Sequence, residues 1–317
     1  MIKSSHKYIN PLTDFGFKKI FGTEPNKILL IDFLNEILPN KKVTDLTYSS
    51  GEKLGRTEID RKAIFDLYCV GENGERFIVE MQKAKQNYFK DRSIFYSSFP
   101  IQEQGKRSLW NYQLAPVYSI ASLDFIFDDH KSDSELLHII ELKNQRGEVF
   151  YDKLKFIYLE LPKFKKKEYE LSNHFDKWLY VFTHLSKLKS RPKQLQEDIF
   201  NRLFQVAEIA KFSISEQEAY EESLKYYRDM KNVVDTSREE GLEEGLEKGL
   251  QKGLQKGLQK GLKEGLKKGL KKGLEKGLEE GRKERNLEIA RQMKLKHFSV
   301  EQISTITGLS IVEIEKL

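Results

Sequence analysis

The sequence predicts an α/β fold, with helical segments continuing beyond it. Three observations carry that expectation. Apolar residues recur at helical spacing in two segments near the start. Two runs rich in β-branched and aromatic residues follow, joined by a Gly/Asn turn. Beyond them a helical pattern and further strand patterns alternate up to residue 161.

Taken in order, residues 14–21 have apolar side chains at 15, 17, 20 and 21 and Gly22 after them, the pattern of a short helix closed by glycine. Residues 25–38 form a stronger amphipathic helix through Ile28, Leu29, Ile31, Phe33, Leu34, Ile37 and Leu38, with Pro39 as its stop. Residues 43–49 read as a first strand. The run Ala-Ile-Phe-Asp66-Leu-Tyr-Cys-Val, the turn Gly71-Glu-Asn-Gly74 and the run Arg-Phe-Ile-Val-Glu80-Met-Gln82 read as a hairpin. Residues 87–103 have helical spacing through Tyr88, Phe89, Ile94, Phe95, Phe99 and Ile101, and Pro100 is expected to kink or end that helix. Residues 117–127 alternate like a buried strand and run into Asp128 and Asp129, read as the start of a loop. Residues 156–161 are a last strand.

The hairpin carries the chemistry. A loop of four or five residues places Asp66 opposite residue 79 or residue 80. In the five-residue register Asp66 faces Glu80 across the sheet, and Gln82 shares that face. Two carboxylates side by side between apolar flanks repel and cost stability. A shared proton, a basic neighbour or a bound cation offsets that cost. Hard oxygen ligands suit Mg²⁺, with Mn²⁺ as a substitute.

The segments Asn10-Pro-Leu-Thr-Asp14-Phe-Gly-Phe-Lys18-Lys-Ile-Phe21-Gly22, Leu34-Asn-Glu-Ile-Leu38, Asp66-Leu-Tyr-Cys and Gly74-Glu-Arg-Phe-Ile-Val-Glu80-Met-Gln82 together resemble the recombination-promoting nuclease (Rpn) family, the transposase branch of the PD-(D/E)XK nuclease superfamily. The resemblance is close over residues 5–160. It implies a PD-(D/E)XK nuclease-like core, a mixed sheet flanked by helices. It also implies a Mg²⁺-dependent DNA endonuclease linked to recombination or mobile elements. Asp66 and Glu80 match the two metal-binding acids. Gln82 stands where most of the superfamily has a catalytic lysine; it can orient a water but carries no charge, so the metal supplies more of the activation. Lys83 follows, and alternation points it to the other face. Asp14 is implied as a further metal-site acid, whereas the residues alone also allow helix capping by Thr13 or Asp14. Lys18 and Lys62 are candidates for contact with substrate phosphate. The alternative is a DNA-binding or scaffolding protein of transposase origin whose site has decayed, a reading that rests on Gln82.

Net charge is +6, which permits DNA as a partner without arguing for it. Cys69 is the single cysteine and cannot form an intramolecular disulfide, which suits a reduced cytoplasm. No signal-peptide core and no apolar window of about 20 residues is present, so no membrane partner is expected.

Four regions are expected: the core at 1–162, a helical extension at 163–234, a repeat at 235–285 and a small tail at 286–317. In the extension, Lys163, Lys165, Lys166 and Lys167 are read as a solvated surface, and Phe175, Trp178, Leu179, Val181 and Phe182 as core packing. From Gly241 to Gly281 glycine recurs at every fourth position, and leucine follows each of these but the last. A period of four advances about 40° per repeat on a helix, so the leucine stripe spirals. Each interior glycine costs about 1 kcal/mol relative to alanine. Association between copies through the glycine column and a flexible spacer are both consistent with this pattern. The stretch from 248 to 276 holds ten lysines against Glu264 and Glu275, which argues against tight parallel pairing. The tail reads as a helix-turn-helix, with Ser299 capping a helix through Gln302, a turn at Gly308 and a third helix from Ser310. Glu313 and Glu315 on that third helix favour protein contact over a DNA groove.

Overall fold

In a computed structural model, the structure describes residues 6–38, 41–53, 63–105 and 111–317. The elements run in chain order as α1 (Asp14–Phe21), α2 (Lys27–Ile37), β1 (Leu46–Ser49), β2 (Glu52–Lys53), β3 (Ala63–Ile64), β4 (Leu67–Gly71), β5 (Arg76–Gln82), α3 (Phe89–Glu103), β6 (Val117–Leu123), β7 (Leu137–Lys143), β8 (Val149–Glu160), α4 (His174–His184), α5 (Asp198–Ala207), α6 (Ile214–Leu295), α7 (Val300–Thr307) and α8 (Ile311–Glu315).

Six strands form one mixed sheet in the order β1-β4-β5-β6-β8-β7, while β2 and β3 pair separately. The strands β5, β6 and β8 are parallel neighbours, and the pairs β1–β4, β4–β5 and β7–β8 are antiparallel. Side-chain alternation divides the sheet between two cores. Leu67, Cys69, Phe77, Val79, Met81, Ile120, Ile157 and Leu159 pack with residues of α1, α2, α4 and α5. On the opposite face Tyr68 and Ile78 meet Tyr96 and Phe99 of α3, and Ala121, Leu123, Phe156 and Tyr158 meet Phe89. This is the mixed sheet flanked by helices that the family resemblance implies.

Local sequence explains the helix ends. Thr13 caps α1 by accepting the Gly16 N–H, and Gly22 closes it. A side-chain methyl on Gly16 would lie 2.1 Å from the Asn10 carbonyl oxygen, so glycine is required there. Pro100 does not end α3, which continues to Glu103.

Several strands differ from expectation, beginning with β1, which starts at Leu46 and not at 43. The run containing Asp66 is not one strand: β3 ends at Ile64 and β4 begins at Leu67, with Asp66 in the break. The β6 strand ends at Leu123 and not at 127. The β8 strand starts at Val149 and ends at Glu160, so it is longer than 156–161. Its hairpin partner β7 has no counterpart in the sequence reading. That strand lies at the sheet edge with Ile139, Ile140 and Leu142 all partly exposed, so it lacks the period-two burial that marks a strand.

The chain divides into two compact units, Met1–Ser237 and Arg238–Leu317. In the first, Trp178, Leu179, Val181 and Phe182 of α4 and Phe200 and Leu203 of α5 belong to the same core as α1 and α2. Lys163 pairs with Glu160 and Lys166 with Asp176.

In the second unit the Gly-Leu repeat is helical as part of α6. Its leucines from Leu242 to Leu278 are 64–76% exposed. A methyl placed on any glycine from Gly241 to Gly281 meets nothing within 4 Å. The tail packs Ala290, Ile303, Leu309 and Ile314 into a small core. Ser299 with Gln302 and Ser310 with Glu313 form capping boxes, and Gly308 adopts φ 68° as the αL cap of α7.

Candidate nuclease centre

The β4–β5 register pairs Leu67 with Val79 and Val70 with Arg76, which leaves five residues in the turn. Continued one residue further, that register sets Asp66 opposite Glu80. Asp66 has left the ladder, and its Oδ2 accepts the Met81 N–H at 2.8 Å. A carboxylate that takes over a backbone donor in this way interrupts the strand locally.

Glu80 and Gln82 lie on the sheet face covered by α3, as their parity with Ile78 requires. Opposite-strand neighbours of Glu80 are Ala121 and, beyond it, Tyr158. Burial pushes the Glu80 carboxyl up to about 7, and the neighbouring Asp66 adds to the rise while Arg92 opposes it. Burial raises Asp66 as well; its Met81 hydrogen bond counters this, Asp14 adds to it, and Lys18 and Lys83 pull the other way.

Arg92 is the residue of this candidate site that sequence reading missed. It reaches from α3 with its guanidinium 3.7 Å from Glu80 and donates to Gln82 Oε1 at 2.7 Å. It also donates to Gln86 and lies over the Phe89 and Tyr96 rings. The Gln82 amide is engaged on its other side too, donating to the Ala84 carbonyl at 2.8 Å. The signal available in sequence was a cation near the start of a helix that is otherwise read by its apolar stripe.

Lys83 also differs from expectation in its consequences. It lies just beyond the end of β5, and Asp66 in the strand break interacts with it, as does Asp14 of α1. Burial lowers the Lys83 ammonium, and the two carboxylates oppose that fall. Its Nζ lies 5.2 Å over the Tyr226 ring.

Asp14 and Lys18 are exposed on α1 and pair with each other at 2.9 Å. Both act electrostatically on Asp66. Thr13 performs the capping, so Asp14 is not needed for it. Lys62 lies outside the described residues.

The structure thus brings Asp14, Lys18, Asp66, Glu80, Gln82, Lys83 and Arg92 into one neighbourhood. Asp66 and Glu80, two largely buried carboxylates of which the first raises the second, with a guanidinium 3.7 Å from Glu80, are a hard-oxygen donor set that Mg²⁺ or Mn²⁺ fits.

The profile of the family described as PD-(D/E)XK nuclease family transposase matches residues 11–237. No curated protein and no solved structure gives a match.

Proposed function

The chain belongs to the PD-(D/E)XK nuclease family transposases, and on that premise we propose that it is a metal-dependent endonuclease acting on DNA through Asp66 and Glu80. The observation that carries this reading is the pair of carboxyls raised chiefly by burial at the end of the β4–β5 hairpin, with Asp66 adding to the rise of Glu80 and Asp14 to that of Asp66. Asp66 and Glu80 would hold Mg²⁺, with Asp14 as a further acid at its margin. A metal held there supplies Lewis-acid polarisation of the scissile phosphate and lowers the pKa of a bound water.

The protein's own groups do the positioning. Arg92 fixes the Gln82 amide and faces Glu80. Gln82 therefore acts as a held element of the wall beside the carboxylates. Lys83 supplies, next to Asp66, the positive charge that Gln82 lacks. Lys18 stands at the exposed side, where a phosphate would approach. Among the described residues no helix is long and apolar enough to cross a membrane. The exposed leucine column of α6, beside open space at each glycine, supports association with a second copy.

Supercoiled plasmid incubated with the full chain tests the activity. Nicking is expected with Mg²⁺ and none with EDTA. Asp66→Ala and Glu80→Ala are expected to remain folded and to lose cleavage. Wild-type rates from either purified variant would overturn the assignment.

A further inference from the structure

We propose that His130, His138 and Glu160 form a second metal site, selective for zinc and separate in its ligands from the Asp66/Glu80 centre. Glu160 is the last residue of β8, His138 lies on β7, and His130 ends the short helical turn Asp128–His130. The Glu160 side chain is fully buried, and the two imidazoles are 20% and 14% exposed, so the carboxylate is anchored inside while an ion can enter past the rings.

Inward-facing atoms of the three side chains converge. His130 Nδ1 lies 3.1 Å from Glu160 Oε1 and His138 Nε2 lies 3.3 Å from Oε2. All three ligand atoms fall within 4.8 Å of one another. Tetrahedral zinc, with bonds of about 2.0–2.1 Å, sets its ligand atoms about 3.4 Å apart. The imidazole rings stack at 4.1 Å and 30°, so both present an edge to the same point.

The outward nitrogens have suitable partners as well. His130 Nε2 faces Asp129 Oδ2 and His138 Nδ1 faces Asp133 Oδ2, each at 3.9 Å. When zinc takes the lone pair of an inward nitrogen, the ring proton must sit on the outward one, a tautomer that the negative charge of the nearby carboxylate favours. Two histidines and one carboxylate leave a fourth position for water, and imidazole donors favour zinc over Mg²⁺. Glu160 keeps its other contacts in this arrangement: Lys163 Nζ at 2.7 Å and the Phe127 N–H at 2.8 Å. A carboxylate has lone pairs enough on two oxygens for both and for a metal. The metal replaces only the two imidazole contacts.

Full-length protein stripped with chelator and returned to excess Mg²⁺ provides the test, with Co²⁺ and Zn²⁺ as probes. About one equivalent of Co²⁺ is expected to give the visible bands of a low-coordinate nitrogen–oxygen site, and Zn²⁺ to displace it. The signal is expected to persist in Asp66→Ala. It should weaken on the order of 100-fold in His130→Gln and His138→Gln, and about 10-fold in Asp133→Asn, all checked for folding by circular dichroism. Failure to bind either ion in the wild type overturns the proposal, as does binding unchanged by His138→Gln or abolished by Asp66→Ala. Should a histidine variant not fold, X-ray absorption at the zinc edge of the wild type decides. Two imidazoles in the shell support the site, and a shell of oxygens alone overturns it.

Discussion

Glu80→Gln separates the electrostatic cost of the centre from its function. Glutamine keeps the shape and removes the charge. The Glu80 carboxyl lies at about 7 in the folded chain against an ordinary 4.5. The folded state therefore binds the excess proton between those values, and stability falls as pH rises through that window. The full displacement corresponds to about 3 kcal/mol. Part of it is shared with Asp66, whose raised carboxyl contributes a loss of the same sign, so about 2 kcal/mol is expected for Glu80 alone. Without metal, Glu80→Gln should be about 2 kcal/mol more stable than wild type at pH 8 and indistinguishable from it near pH 4.5. Urea unfolding in EDTA at the two pH values reads this as a midpoint shift of about 1 M at the higher pH only. Comparison of variant with wild type at each pH cancels the ordinary ion pairs. Mg²⁺ should restore stability to the wild type at pH 8 and leave the variant unaffected, and the variant should not cleave DNA. A wild type equally stable at both values, with no gain from Glu80→Gln, would refute the claim that burial raises the Glu80 carboxyl.

Arg92→Met should slow cleavage about 10- to 100-fold, because a charged donor to Gln82 contributes about 1.5–3 kcal/mol. The same change should move the pH profile of Mg²⁺ binding upward, since the guanidinium holds Glu80 down; an unchanged rate and profile would remove Arg92 from the centre. In the repeat, Gly257→Ala, Gly261→Ala and Gly265→Ala together should raise helix stability by about 2–3 kcal/mol, read by thermal circular dichroism, because a methyl there meets nothing within 4 Å. If the triple variant instead loses self-association in light scattering, the glycine column is a contact between copies. A chain ending at Ser237 holds the described residues of the candidate centre and should still nick plasmid with Mg²⁺; a well-folded but inactive shortened chain would show that α6 beyond it completes the active assembly.

Local pattern was enough for much of the molecule. The Thr13 cap, the apolar spacing of α1 and the following glycine specify that helix without reference to anything distant. The α2 stripe, the Gly/Asn turn and the capping box at Ser299 are equally local, and the five-residue turn was one of the two loop lengths the sequence offered. The repeat's period fixes how its leucine stripe spirals on a helix, but leaves open whether the segment is a helix between copies or a flexible spacer.

Tertiary packing decided the rest. The β7 strand exists because β8 offers it a partner, not because its own residues alternate in burial. Arg92 reaches Gln82 only because α3 lies over that face of the sheet, and no spacing in the chain encodes that contact. Alternation could not reveal that Asp66 leaves the ladder to accept the Met81 N–H, nor that it interacts with Lys83, just beyond β5. His130, His138 and Glu160 come from three elements and converge only once β7 folds back along β8. Periodicity reports which way a side chain points from its own strand or helix. Which groups then meet, and what burial does to their charges, depends on how the layers stack.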